Sequence, residues 1–324
     1  MDIVIADYDG TPIRQTDNYT LDLAYGDDEN DFMLSDVFGA PLAQGMRWWV
    51  DGTPYGGVVD TVEVSATSDG VSALSYVGRC VHGILAAKVV EPDDGQSHLI
   101  VSGEANALIG QLLFRCDVPW MTASTDDSGI DVADYRFHRY VDLYSGMRMM
   151  LASAGARLAV RFVNDVPALS AVPADSYGTV PSELVDFDAK RTYRPVNHLI
   201  GLGTGEGADR EVVHWYADAS GSVSQTQTLT GLDEVAEVYD LSSESEDLSG
   251  KTRDKLAEYQ GQGTFDVDLP EDAVLDVGDR VTASDAVTGL SVSAEVVKVI
   301  VKAKAGEPTV SYETGTPQWP DEED

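Results

Sequence analysis

The chain has 324 residues, 43% of them hydrophobic, and a formal net charge of −35 from 56 acidic and 21 basic side chains. That much apolar material can fill the cores of two or three domains, which excludes disorder outside the tip of the C-terminus. So acidic a surface repels polyphosphate, which excludes sequence-independent binding to a DNA or RNA backbone. The two cysteines, Cys80 and Cys116, lie in apolar stretches and are too few for a disulfide framework, so buried thiols are expected. The acidic N-terminus, Met1 to Asp7, lacks the basic start of a signal peptide, and no apolar run reaches the length of a membrane helix. Synthesis and folding in a cytoplasm follow by default.

The first hundred residues read as short strands punctuated by turns. Ile3 to Tyr8 ends at Asp9-Gly10, and Tyr19 to Tyr25 alternates at period two. The acidic turn Gly26 to Asp31 precedes a strand around Phe32-Met33-Leu34. Met46 to Val50 turns at Asp51-Gly52, Val58 to Ala66 turns at Asp69-Gly70, and Val71 to Val77 returns. Strands at this spacing indicate a barrel or sandwich. Helical patterns follow at Arg79 to Val89, Glu104 to Cys116 and Phe137 to Ala154, the last with an apolar stripe from Tyr140 through Met147 to Ala154 and Gly155 as its stop. Arg157 to Val163 alternates like a strand. From Asn197 the β pattern resumes at Leu199 to Leu202, Glu211 to Tyr216 and Val223 to Leu229. A polar, acidic segment, Ser242 to Gly250, leads into a short helix at Thr252 to Tyr259. Strands at Phe265 to Leu269, Arg280 to Ala283, Leu290 to Val301 and Thr309 to Tyr312 close the chain.

No local motif carries chemistry. Gly201 to Ala208 has the glycine content of a dinucleotide loop, but a strand, Arg210 to Tyr216, follows where a phosphate-binding helix N-terminus is required. A hairpin loop is the better reading. His82, His98, His138, His198 and His214 show no zinc spacing, and Asp27 to Asp31 lacks the alternate ligands and central glycine of an EF-hand. Neither a nucleophile elbow nor a triad signature is present. Trp48, Trp49, Trp120 and Trp215 could stack on sugars, although a tryptophan beside a strand turn more often packs. The sequence assigns no catalytic, cofactor-binding or metal-ligating residue and implies no cofactor.

Several stretches nevertheless resemble siphophage tail-hub proteins, whose fold is shared with the baseplate hub of contractile tails and the hub part of type VI secretion spikes. They are Asn30 to Leu34, Gly78-Arg79, and the Tyr140 to Gly155 segment with the strand after it. The densest is Asn197 to Ile200 through Leu202 to Gly205, Asp209-Arg210, His214 to Asp218 and Gln227 to Glu234. Leu275 to Val281, Val296 to Ile300 and Val310 to Tyr312 through Gly315 complete the set.

The resemblance implies a mainly β fold with an α/β insertion (α+β): two barrel-like β domains plus a small α/β domain, phage baseplate-hub-like. The boundaries are 1–90 for the first barrel-like domain and 91–196 for the α/β domain, with helices near 104–116 and 137–154. The second barrel-like domain spans 197–316 with a short helix near 252–259, and 317–324 is an acidic tail. It further implies a homotrimeric tail hub, a phage or prophage virion structural protein made in the host bacterial cytoplasm and not an enzyme. This hub closes the tail tube, joins the distal tail protein and the tube, and can carry a tail fibre or receptor-binding protein. The genome passes through its lumen without specific binding, and no part inserts in a membrane. An acidic lumen suits that passage, although an acidic proteome or a saline habitat accounts for the charge equally well. A tail-associated cell-wall or polysaccharide hydrolase and a carbohydrate-binding host-attachment module are the alternatives. Many hubs continue into a long hydrolase or receptor-binding extension, whereas this sequence stops soon after the last expected strand.

Overall fold

The computed structural model describes residues 1–66, 68, 72–178, 186–192, 194–241, 247–261, 263–270, 273–285 and 287–319. The expected Asp69-Gly70 turn, residues 242–246 of the acidic segment and 320–324 of the acidic tail lie outside them. In chain order, the opening strands are β1 (Ile3–Ala6), β2 (Pro12–Thr16), β3 (Thr20–Gly26), β4 (Asn30–Ser35), β5 (Arg47–Trp49), β6 (Gly56–Ala66) and β7 (Ser72–Cys80). Next come α1 (Val81–Ala86), β8 (Ile100–Glu104), α2 (Ala105–Arg115), β9 (Thr122–Ala123), β10 (Asp131–Arg136), α3 (Leu143–Ala152), β11 (Ala156–Val163), β12 (Val166–Pro173) and β13 (Ser176–Tyr177). Then follow β14 (Asp186–Arg191), β15 (His198–Leu202), β16 (Val212–Ala217), β17 (Val223–Ser224), β18 (Ala236–Asp240), α4 (Leu248–Tyr259) and β19 (Gly263–Asp268). The last strands are β20 (Arg280–Ser284), β21 (Ser291–Lys304) and β22 (Glu307–Thr314).

Two compact units result, one of Met1–Asp186 with Asp268–Gly315 and the other of Phe187–Val267 with Thr316–Asp324. The first is a mixed α/β body dominated by an 11-stranded sheet in the order β13-β20-β21-β3-β4-β7-β6-β5-β1-β2, with β22 also on β21. Strands from both ends of the sequence therefore share one sheet through the antiparallel pairing of β3 with β21, Leu23 opposite Val301. Among the described residues no pairing joins its two ends, β13 and β2. These pairings show one curled, mixed sheet and do not by themselves establish two full barrels. In β21, Val292, Ala294 and Val296 are fully buried while the residues between them are half-exposed, the period-two mark of a sheet with one apolar face.

The helices α1, α2 and α3 and the strands β11 and β12 pack into one apolar cluster that takes in Ala6 and Trp49 from the large sheet. In α2, Leu108, Ile109, Leu112 and Leu113 are buried as their spacing predicts, and Glu104 caps the N-terminus by accepting from the amides of Asn106 and Ala107.

Four expected elements need correction. The helix expected from Phe137 begins only at Leu143, because the Asp142 carboxylate accepts from the Ser145 amide as its N-cap and Tyr140 has φ 57°. Tyr140 fits the stripe by spacing yet is exposed, whereas Met147, Met150 and Leu151 are buried, and Gly155 at φ 67° ends the turn after α3. Arg79 and Cys80 continue β7, so α1 starts at Val81. The strand expected over Val223 to Leu229 is only two residues long, while α4 starts at Leu248, a turn earlier than expected, capped by Asp247.

In the second unit the sheet order is β17-β16-β15-β18, with β15 and β18 parallel, and β14 pairs with β19. Its core holds Leu199, Ala217 and Leu256, with Trp215, Tyr239 and Tyr259 packed around them. Helix α4 lies so close to β15 that a Cβ on Gly201 would come within 2.1 Å of Thr252 Oγ1.

Candidate functional site

Two clusters of ionisable side chains, one in each unit, could carry chemistry. In the first unit a cavity of 510 Å³ is lined by residues of α3 (Ser145, Arg148, Met149), by Ala156 and Arg157 at the start of β11, by Val277 and Gly278, and by Asp27 and Glu295. Both carboxylates on its wall engage Arg148, Asp27 closely and Glu295 at 3.6 Å. Behind the wall lie two more carboxylates, Asp276 and Asp279. Asp279 is fully buried; it accepts from Arg157 Nε at 2.5 Å and from the amides of Asp175 and Asp276 at 2.8 Å each. Burial pushes the Asp276 carboxyl up to about 6, against the pull of Arg157 and hydrogen bonds from the Val277 amide and Tyr25.

A hydrolase needs a carboxyl that gives its proton to substrate and a second that faces the reaction centre. Asp279 has no accessible oxygen, Asp276 stands beside the same guanidinium, and neither lines the cavity. These acids tie the segment before β20 to β11, and Gly278 allows the approach: its Cβ would meet Arg157 Cβ at 2.9 Å. The network continues through aromatic contacts. Tyr25 stacks on His82 at 4.0 Å, and His82 meets Tyr144 edge-on at 5.2 Å. Burial holds the His82 imidazole down to about 3, with Arg148 adding to the effect, so it packs as a neutral ring.

In the second unit His198 Nδ1 lies 2.6 Å from Glu234 Oε1, and its Nε2 lies 2.9 Å from His214 Nδ1. A carboxylate only accepts, so Nδ1 is the donor and a single proton is shared along the second bond. Tyr216 stacks on His198 at 4.4 Å, and Asn197 fixes the turn that carries Glu234 by bonding Asp233 O and the Val235 amide. A Glu-His-His chain of this kind could move a proton. Among the described residues no hydroxyl or thiol is hydrogen-bonded to His214 as a nucleophile. The chain is invisible to motif spacing because the two histidines meet across strands. Its one legible signal is the hairpin around the glycine loop, where Ile200 opposite His214 places His198 and His214 diagonally on one face.

Several other candidate groups have structural partners. Gly201 to Ala208 joins the antiparallel strands β15 and β16 as a hairpin loop. His98 Nδ1 is 3.0 Å from Phe137 O. Asp28 and Glu29 of the acidic turn bond Lys298 at 3.1 and 3.2 Å, which raises the lysine pKa, the Asp28 hydrogen bond foremost. Trp48 and Trp49 are fully buried, Trp49 stacked with Phe162 at 5.9 Å, and Trp215 donates to Ser249 Oγ at 3.1 Å. They form no exposed sugar platform. Both cysteines are free thiols, Cys80 buried and Cys116 only half-buried. Among the described residues no group of three His, Cys, Asp or Glu is placed to hold a metal ion, and no helix is long and apolar enough to cross a membrane.

No protein-family model matches the chain, and no curated protein matches it. Among solved structures, it is similar to a tail protein from Neisseria meningitidis MC58, at 16% identity and a TM-score of 0.44 over 97% of this chain and 96% of that one. A prophage tail protein from Listeria monocytogenes EGD-e aligns at 10% identity and a TM-score of 0.49, covering 98% and 95%. A 43 kDa tail protein of a Shewanella oneidensis prophage aligns at 11% identity and a TM-score of 0.46, covering 97% and 98%. With each TM-score below 0.5, the role assigned below rests on this chain's own residues.

Proposed function

We propose that this chain is a structural subunit of a phage or prophage tail, a trimeric hub that closes the tail tube, joins it to the distal tail or baseplate, and lets DNA pass. The observation that supports it most is an 11-stranded sheet that, among the described residues, has no further strand paired to its ends β13 and β2, in a chain of net charge −35. Open edges call for neighbours, and rotational symmetry closes them without leaving a free template for aggregation. The tail-hub-like stretches identified in the sequence point the same way. In this reading 1–90 and 197–316 supply the two barrel-like parts that alternate around a pseudo-six-fold ring, with 91–196 as the α/β insertion. The partners are the tube, the distal tail protein and a fibre or receptor-binding protein, and the acidic side chains concentrate toward the lumen.

The hydrolase reading has less support. Its best carboxylates, Asp276 and Asp279, are tied to Arg157 and to backbone amides. Electron microscopy of the purified chain tests the proposal. Three-fold rings with a central channel lined by acidic residues are expected; single subunits that clear a peptidoglycan suspension would overturn it.

A further inference from the structure

The second unit has two histidines, His198 and His214, and they are bonded to each other. In β15, Leu199 and Gly201 turn toward α4, so His198 points to the opposite face of the sheet. There its ring stacks on Tyr216 at 4.4 Å, with Glu234 on Nδ1 and His214 on Nε2. His198 is 9% exposed, whereas His214 is exposed and takes protons directly from solvent. The other charges around the pair are matched elsewhere. On the same turn as Glu234, Asp233 pairs with Arg194 at 3.0 Å, and at the far end of the face Asp240 pairs with Arg210. Beyond β16, Asp218 accepts from Ser220 and Ser222 of its own turn. On the α4 side Glu237 accepts from Tyr259 Oη at 2.7 Å, and Lys255 pairs with Glu258 at 2.6 Å. Among the described residues Glu234 is therefore the carboxylate that answers a charge on these rings.

A bond between two ring nitrogens holds one proton between them. With His198 Nδ1 donating to Glu234, the neutral pair carries that proton on His214 Nδ1, which donates to His198 Nε2. One added proton keeps the bond: either ring becomes the imidazolium, and one nitrogen of the pair stays bare to accept. A second added proton sets N–H against N–H at 2.9 Å and two cations with ring centres 5.2 Å apart, so the bond is lost and the rings repel. We propose that His198 and His214 form an acid-sensitive latch, which ties β16 to β15 and to the Glu234 turn with up to one added proton and opens when both rings are charged. This goes beyond the tail-ring reading and does not depend on it. Opening frees His214 and the Glu234 turn on the face away from α4, and leaves the packing of Leu199 against Leu256 in place.

The test is hydrogen exchange on the full chain between about pH 8 and about pH 5, corrected for the intrinsic pH dependence of amide exchange, for the parent and for His214→Asn. Protection of the β15 and β16 amides in the parent is expected to fall about tenfold over that range. In His214→Asn it should stay level, because an asparagine amide can bond His198 Nε2 through either its N–H or its C=O and adds no second charge. Asp276 and His82 are the same in both chains, so the difference belongs to the pair. Level protection in the parent, or an equal fall in His214→Asn, overturns the latch. Should circular dichroism show His214→Asn misfolded, NMR of the ring nitrogens in the parent decides. A hydrogen bond between Nε2 and Nδ1 that survives the first protonation and vanishes at the second supports the latch. Its persistence with both rings protonated, or its absence at about pH 8, refutes it.

Discussion

The two units hold their secondary structure by different means. The first buries a continuous apolar cluster running from Ala6 and Trp49 through Leu112 and Met147 to Phe162 and Ala171. The second gathers only Leu199, Ala217 and Leu256 in its cluster, among the described residues, and supplements them with polar ties: Asn197 to the turn at Asp233, and Glu234 through His198 to His214. A large core dilutes the loss of any one side chain, whereas a small core does so less. The same cavity should therefore have local consequences in one unit and unit-wide consequences in the other.

Leu256→Ala is the largest expected perturbation. Removing a fully buried leucine costs roughly 2–5 kcal/mol, a large fraction of what a small core supplies. Hydrogen exchange should show protection lost throughout β15 and β16. Leu151→Ala, an equally buried site in the first unit, should leave most of that unit protected. Equal loss of protection in both units would break the contrast.

The next effect belongs to the buried acid. A free aspartate titrates near 4, and Asp276 is pushed up to about 6 by burial. Between those values the folded chain holds the proton that the unfolded chain releases. This group's stabilisation is therefore complete below about pH 4 and falls by about 3 kcal/mol as pH rises through 6. Asp276→Asn should flatten that part of a urea-derived stability profile. His82 acts with the opposite sign. Held down to about 3 by burial, it supports the fold fully above about 6.5 and loses that support as pH falls toward 3. His82→Phe keeps a ring against Tyr25 and should retain more of its neutral-pH stability at pH 4 than the parent does.

The smallest effect falls on the polar ties of the second unit. Glu234→Gln weakens the bond to His198 and should cost about 1–2 kcal/mol, read as faster exchange at the β15 amides with the first unit unchanged. No change there would mean that the apolar core of that unit suffices without the polar tie.

These contrasts mark what the sequence could and could not disclose. Local chemistry was legible: α2 by its leucine and isoleucine spacing, β3 and β4 by alternation around the acidic turn, and the glycine loop as a hairpin. The start of α3 was not, because Tyr140 continues the apolar stripe and only backbone geometry shows that Asp142 is already the cap. Nor was β18, whose residues are mostly exposed and so leave no burial pattern. Non-local pairing was the least legible. That Leu23 faces Val301 follows from which apolar faces meet in the folded sheet, and neither stretch carries a local sign of the other. The same holds for the cavity wall, where Asp27, Arg148 and Glu295 meet from three distant segments.

The measurement that bears most directly on the tail-ring proposal is the mass of the unmodified chain in solution, by light scattering after size exclusion. Three subunits of 34.8 kDa give roughly 104 kDa, the mass expected if rotational symmetry closes the open sheet edges into a ring. A mass that stays at 34.8 kDa at every concentration would contradict that ring.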